Sequence, residues 1–149
     1  MNLKEILNVQ GKKGLYKLVS RGKNNVIVES FADGSRIPVF ASTQASTLED
    51  ICIFMENEDI PLKDAFKRIY EAENGNKTID VSVLKPVEIE SYMSKILPEY
   101  DRNRVHVSDM KKLFSWYNLL LEYDLLSFEE ENEENAENAE NEENAEKND

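Results

Sequence analysis

Cysteine, histidine and tryptophan each occur once in this 149-residue chain, and these scarcities exclude much chemistry. One cysteine, Cys52, leaves no internal disulfide framework. It stands in the apolar run Ile51-Cys52-Ile53-Phe54, so it is expected to be a small buried hydrophobe rather than a nucleophile. The lone His106 is too far from Cys52 in sequence to make metal-ligand spacing. There is no G-x-S-x-G, and His106 has no evident partner for nucleophilic catalysis. Gly11-Lys12-Lys13-Gly14 lacks the spacing of a phosphate loop, and no helix pattern follows it, so it reads as a basic turn. No catalytic residue, cofactor or metal is expected, and the chain is not read as an enzyme. Long apolar runs are also missing. The opening M-N-L-K-E-I-L-N-V has no sustained apolar stretch or cleavage signature, and no segment reads as a membrane span. A soluble, cytoplasmic protein without a membrane partner is the expectation.

Charge is abundant but unevenly placed. The formal net charge is −12. Residues 129–149 hold eleven acids and one base, so the body, residues 1–128, is nearly balanced at −2. That terminal segment is low in complexity and has no aromatic or β-branched residue, so it cannot bury enough surface to offset its ordering entropy. It is expected to be a disordered acidic tail. Within the body, residues 1–28 carry an excess of five positive charges, and residues 29–60 an excess of six negative ones.

The body divides by periodicity. Residues 1–58 read as a small β domain. Leu15–Arg21 and Val26–Phe31 are rich in β-branched and aromatic residues, with the turn-forming Gly22–Asn25 between them. Asp33-Gly34 is a hairpin signal that turns the second strand back into Arg36–Ala41. Pro38 marks that strand as an edge, or as one that pairs with Pro38 on its free side. Ile51–Met55 reads as a fourth strand, and Leu3–Val9 as either a strand or a helical turn. The expectation is an SH3-like β-barrel or a curled antiparallel sheet.

Residues 59–128 read as a three-helix region packed on that sheet, giving an α+β fold. Pro61 opens a helix ended by Asn74-Gly75, and Pro86 opens one stopped by Pro98. Residues 76–84 are either a strand or an extended linker. Ser108-Asp109 starts a spine helix over 108–126. Met110, Leu113, Phe114, Tyr117, Leu120, Leu121 and Leu125 form one apolar stripe, and Trp116, Leu119, Tyr123 and Leu126 a second. Only Lys111, Ser115, Asn118 and Glu122 form a continuous polar stripe, so the helix is expected to be buried on most sides.

Four stretches carry a resemblance: L-K-E-I-L-N-V-Q-G-K-K-G-L-Y-K-L-V-S (3–20), S-T-L-E-D-I-C-I-F (46–54), I-P-L-K-D-A-F (60–66) and L-P-E-Y-D-R-N-R-V-H-V-S-D-M-K-K-L-F-S-W-Y-N (97–118). Over residues 1–127 the chain resembles an uncharacterised family of small Bacteroidetes proteins, a domain of unknown function. The resemblance implies a bacterial cytosol and carries no activity or catalytic residue.

Two groups of residues are candidates for contact with a partner. Lys12, Lys13, Lys17, Arg21 and Lys23 form a basic N-terminal set suited to phosphates, with Lys17 and Arg21 placed on one face of the sheet. Arg102, Arg104 and His106 lie in the loop before the spine helix. Their guanidinium groups either tie that loop through Asp101 or are presented to an anion or a partner. The leading expectation is a non-enzymatic binding or adaptor module for a protein partner, or a homo-oligomer. The alternative is a nucleic-acid- or ribosome-associated protein whose acidic tail shields its basic region.

Overall fold

The computed structural model describes residues 3–40 and 45–128. Leu3–Val9 is both things its sequence allowed: Leu3–Glu5 forms a 3-10 turn, and β1 (Ile6–Val9) follows. The chain continues through β2 (Tyr16–Arg21), β3 (Asn25–Ser30), β4 (Arg36–Phe40) and β5 (Ala45–Thr47). These five strands make one sheet in the order β4-β3-β2-β1-β5, antiparallel at every pairing. Asp33-Gly34 does turn β3 into β4. Gly34 takes φ 77°, a conformation glycine adopts without steric penalty, and Ser35 N donates to Asp33 Oδ1 at 2.9 Å. Pro38 lies on an edge strand, where a missing donor weakens the template for another chain.

The sheet is not closed: β4 and β5 are its two edges. Of the two forms expected, the antiparallel sheet is present and the SH3-like barrel is not. Chain length nevertheless forces curvature. The five steps from Phe40 to Ala45 reach at most about 18 Å. Four strand spacings across a flat sheet come to about 19 Å. One face of the sheet gathers Leu7, Val9, Tyr16, Val28 and Val39 into a small core of its own. The opposite face turns Ile6 and Leu15 toward the helices.

Ile51–Met55 departs from its expected place. It contributes β6 (Cys52–Ile53), which pairs with β7 (Ile60–Pro61) in a separate two-stranded ribbon and does not join the main sheet. The position beside β1 belongs to β5, a three-residue Ala-Ser-Thr strand with almost no apolar signal. The burial of Cys52 is also corrected. Alternation along β6 turns Ile53 and Met55 into the core, so Cys52 and Phe54 face outward.

The helices are α1 (Leu62–Ala72), α2 (Pro86–Ile96) and α3 (Val107–Glu122). Pro61 stands just before α1 rather than inside it. The spine helix α3 starts one residue earlier than expected, because Asp109 Oδ2 accepts from His106 N at 2.9 Å. It also ends earlier. Asp124 adopts a left-handed φ of 59°, and Leu125 N and Asp124 N donate back to the carbonyls of Leu120 and Leu121. Leu125 and Leu126 continue the apolar pattern but pack on the core outside the helix. The main core joins all parts: Leu3 and Leu48 from two 3-10 turns, Phe66 and Ile69 of α1, Met93 of α2, and Phe114 and Tyr117 of α3. The acidic tail lies outside the described residues.

Residues 76–84 form no strand. They run as an extended connection ending in the 3-10 turn Val81–Val83, and α3 holds them in place. Thr78 N donates to Asn118 Oδ1 at 2.8 Å, and Asn118 Nδ2 donates to Ile79 O at 3.2 Å. Tyr117 Oη donates to Asn76 O at 2.9 Å. The Tyr92 hydroxyl donates to the Glu73 carboxylate, and Thr78 Oγ1 stands 2.9 Å from the same oxygen. Asn118, read as part of a polar stripe, is thus a side-chain clamp on a neighbouring backbone. Replacing it by leucine leaves Thr78 N without its partner, and a loss of about 1–3 kcal/mol is expected in chemical unfolding. Amide protection at Thr78 should fall with it, and unchanged hydrogen exchange there would remove the clamp.

Burial, then the bond to Glu73, pushes the Tyr92 hydroxyl up to about 12, and burial does the same for Tyr117. Raised folded values mean that this stabilisation is complete below about pH 10 and declines as pH climbs toward 12. Phenolate absorbance should show at least two late-titrating tyrosines, and Tyr92→Phe should remove one.

Candidate binding groove

The basic N-terminal residues do not assemble into one surface. All five are exposed. Lys12 and Lys13 sit in the β1–β2 turn and Lys23 in the β2–β3 turn, at opposite ends of β2, about 17 Å apart by strand rise. The expectation that Lys17 and Arg21 share a face is overturned by a β-bulge between Leu18 and Ser20. Lys17 lies opposite Glu29, and Arg21 opposite Val26. Positions 26 and 29 of β3 point to opposite faces, so the two cations do as well. Glu29, beside Lys17, is paired with Arg36 Nε at 2.9 Å.

Arg102 and Arg104 act chiefly as ties. Arg102 donates to Pro98 O, Tyr100 O and Ser94 Oγ while its guanidinium lies 4.3 Å from the Tyr100 ring centre. Arg104 Nε donates to Asp101 Oδ2 at 2.8 Å. Its Nη2 reaches Met55 O at 3.3 Å and Asp59 Oδ1 at 3.4 Å, and the group stacks 4.5 Å from the Phe54 ring centre. One side chain therefore joins the α2–α3 loop, the end of the β6 segment and the 55–59 loop. Arg104 and the backbone N–H groups of Asn103 and Arg104 hold the Asp101 carboxyl below the usual carboxylate range. His106 is exposed at the start of α3, and the hollow that Arg102 lines with Ser94 and Tyr100 includes neither Arg104 nor His106.

What Arg104 holds in place is one wall of a groove. Phe54 and Cys52 form its outer lip, and Ile53, Leu62, Val105, Leu113 and Trp116 its floor, around a hollow of about 190 Å3. The α3 contributors Asp109, Lys112, Leu113 and Trp116 recur at helical spacing, so one face of the spine helix supplies them. Asn8 and Lys112 form a shared wall with a second, polar hollow lined also by Gln10, Lys12 and Ser46. Trp116 was legible as part of a second apolar stripe and Lys12 as a turn cation. The convergence of Asn8, Ser46 and Lys112 had no sequence signal, because three distant segments supply them. Among the described residues, no three of His, Cys, Asp or Glu gather as a metal-binding group, and no helix is long and apolar enough to cross a membrane.

This α+β chain belongs to a family of uncharacterised proteins of Bacteroidetes type. Residues 3–48 match the family Domain of unknown function (DUF5606), and residues 51–120 match Domain of unknown function (DUF6852). It is similar to a protein from Bacteroides vulgatus whose solution NMR structure was determined as a structural-genomics target. The two are 40% identical, with a TM-score of 0.72, over 85% of this chain and 91% of that one. No match was found among curated proteins.

The Arg104 hub has an acid signature. A depressed Asp101 contributes stability above the ordinary carboxylate range and loses it as pH falls through its own lower value. Both partners are solvent-screened, so the effect is modest. Arg104→Gln should lower the melting temperature at neutral pH, and the gap to the parent should shrink below about pH 4. A gap that persists undiminished into strong acid would show that the ion pair is not its source.

Proposed function

We propose that the protein is a non-enzymatic binding module that seats a short segment of a partner protein in the groove between β1, β6 and α3. The supporting observation is an apolar hollow that opens beside a polar one across the Asn8–Lys112 wall. Size bears on the apolar hollow alone, since the polar hollow beside it is about 340 Å3. Sites for drug-sized ligands run from about 300 to 1,000 Å3, whereas a cavity of about 150 Å3 already holds a benzene ring. At about 190 Å3 the hollow suits one large apolar side chain. The alternative, contact with nucleic acid or the ribosome through the basic N-terminal residues, has less support, because β2 and its bulge separate those cations.

Random-peptide display against the full chain tests the reading. Selected peptides should share one large apolar residue and change the emission of Trp116, the sole tryptophan. Cys52→Phe places a ring at the exposed lip of the hollow and should weaken those peptides by about tenfold or more, near 1.4 kcal/mol, without changing the melting temperature. Absence of an enriched motif, or equal binding by Cys52→Phe, would refute this location.

A further inference from the structure

We propose that the groove is selective for an acidic–apolar segment, with a large apolar side chain in the hollow and a carboxylate at a neighbouring residue held by Lys12 and Lys112. This rests on the groove reading above and adds the chemistry of its occupant. The polar hollow is lined by Asn8, Gln10, Lys12, Ser46 and Lys112 together with backbone, and by no acid. Among the described residues neither lysine side chain has a carboxylate partner, although acids outnumber bases in the chain. The nearest acid in the groove is Asp109, one helical turn from Lys112, and its Oδ2 already accepts from His106 N. Two cations with amide and hydroxyl groups between them match a carboxylate in charge and in donors. Because the hollows share the Asn8–Lys112 wall, the apolar group and the carboxylate must come from adjacent or nearly adjacent residues.

Two other occupants fit less well. The chain's own residues 129–149 supply carboxylates, but their largest apolar side chain is alanine, so they cannot fill the hollow. A single-stranded nucleic acid needs an open aromatic face for base stacking; Trp116 is only 8% exposed, and the exposed Phe54 ring already has Arg104 stacked on it. A partner protein segment supplies both groups.

The test uses the full chain and three synthetic hexapeptide pools. Each pool has a central Phe or Leu, flanked by Asp/Glu, by Ser/Asn or by Lys/Arg. Binding is read from Trp116 emission at low and physiological salt. The acidic pool should bind about tenfold tighter than the neutral one, the basic pool weakest, with the differences shrinking as salt rises. Lys112→Glu and Lys12→Glu should reverse the acidic–basic order. Both lysines are exposed, so unaltered melting curves will show that the variants fold. Equal affinity for all three pools overturns the charge selectivity and leaves the groove reading intact. Failure of every pool to bind overturns both. Displacement of the acidic pool by a labelled single-stranded RNA, with loss of RNA binding in Lys112→Glu, would assign the groove to nucleic acid instead.

Discussion

Burial of α3 is the constraint on which the other elements depend. Met110, Leu113, Phe114, Trp116, Tyr117 and Leu120 are all withdrawn from water, and they point in too many directions for one neighbour to cover. α1 and α2 take two sides, through contacts such as Phe66–Tyr117 and Tyr92–Phe114, whose ring centres lie 6.4 and 5.2 Å apart. The β6–β7 ribbon and the 3-10 turns seal others. The sheet, with apolar groups on both faces, seats one face against the same core and curls around the other. Neither half has a complete core without the other.

A helix so enclosed has little freedom in what it does with its polar residues. Asn118 and the Tyr117 hydroxyl face chain that passes close by, and they satisfy backbone groups there. That is the requirement that half-buried polar groups be paired. At the N-terminal end the covering is incomplete. β6 turns Cys52 and Phe54 outward, and the groove opens where β1, β6 and α3 meet. Arg104 keeps that opening in shape by stacking on Phe54 and bonding the backbone of Met55. The candidate site is thus a gap in the covering of α3, edged by residues whose first duty is structural.

This arrangement explains why the most visible charges do not mark the site. Arg102 and Arg104 stand out in a short loop, yet their donors are largely taken up by the backbone and carboxylates of their own neighbourhood. The cations of β2 stand out as a basic run, yet one bulged residue turns Arg21 away from Lys17. Lys112 is one of a commonplace lysine pair on a helix, yet its position beside Asn8 and Lys12 makes it part of an acid-free hollow.

Local patterns were enough to establish much of this protein. The β3–β4 turn at Asp33-Gly34, the proline-led starts and the helical face of α3 follow from short-range chemistry: allowed φ, missing donors, and a 3.6-residue apolar period. Contacts between distant segments decided the rest. Whether Ile51–Met55 joined the sheet depended on Ile53 and Met55 finding a deeper core beneath the helices. Cys52 was turned outward by the alternation of that strand once its inner face was chosen. The bulge in β2, seen only in its pairing with β3, reversed a face assignment that regular alternation would have kept. The groove could not be read from the chain at all. Asn8, Lys12, Ser46, Cys52 and Lys112 are brought together only when β1 with its following turn, β5, β6 and α3 meet, and no property of any one segment encodes that meeting.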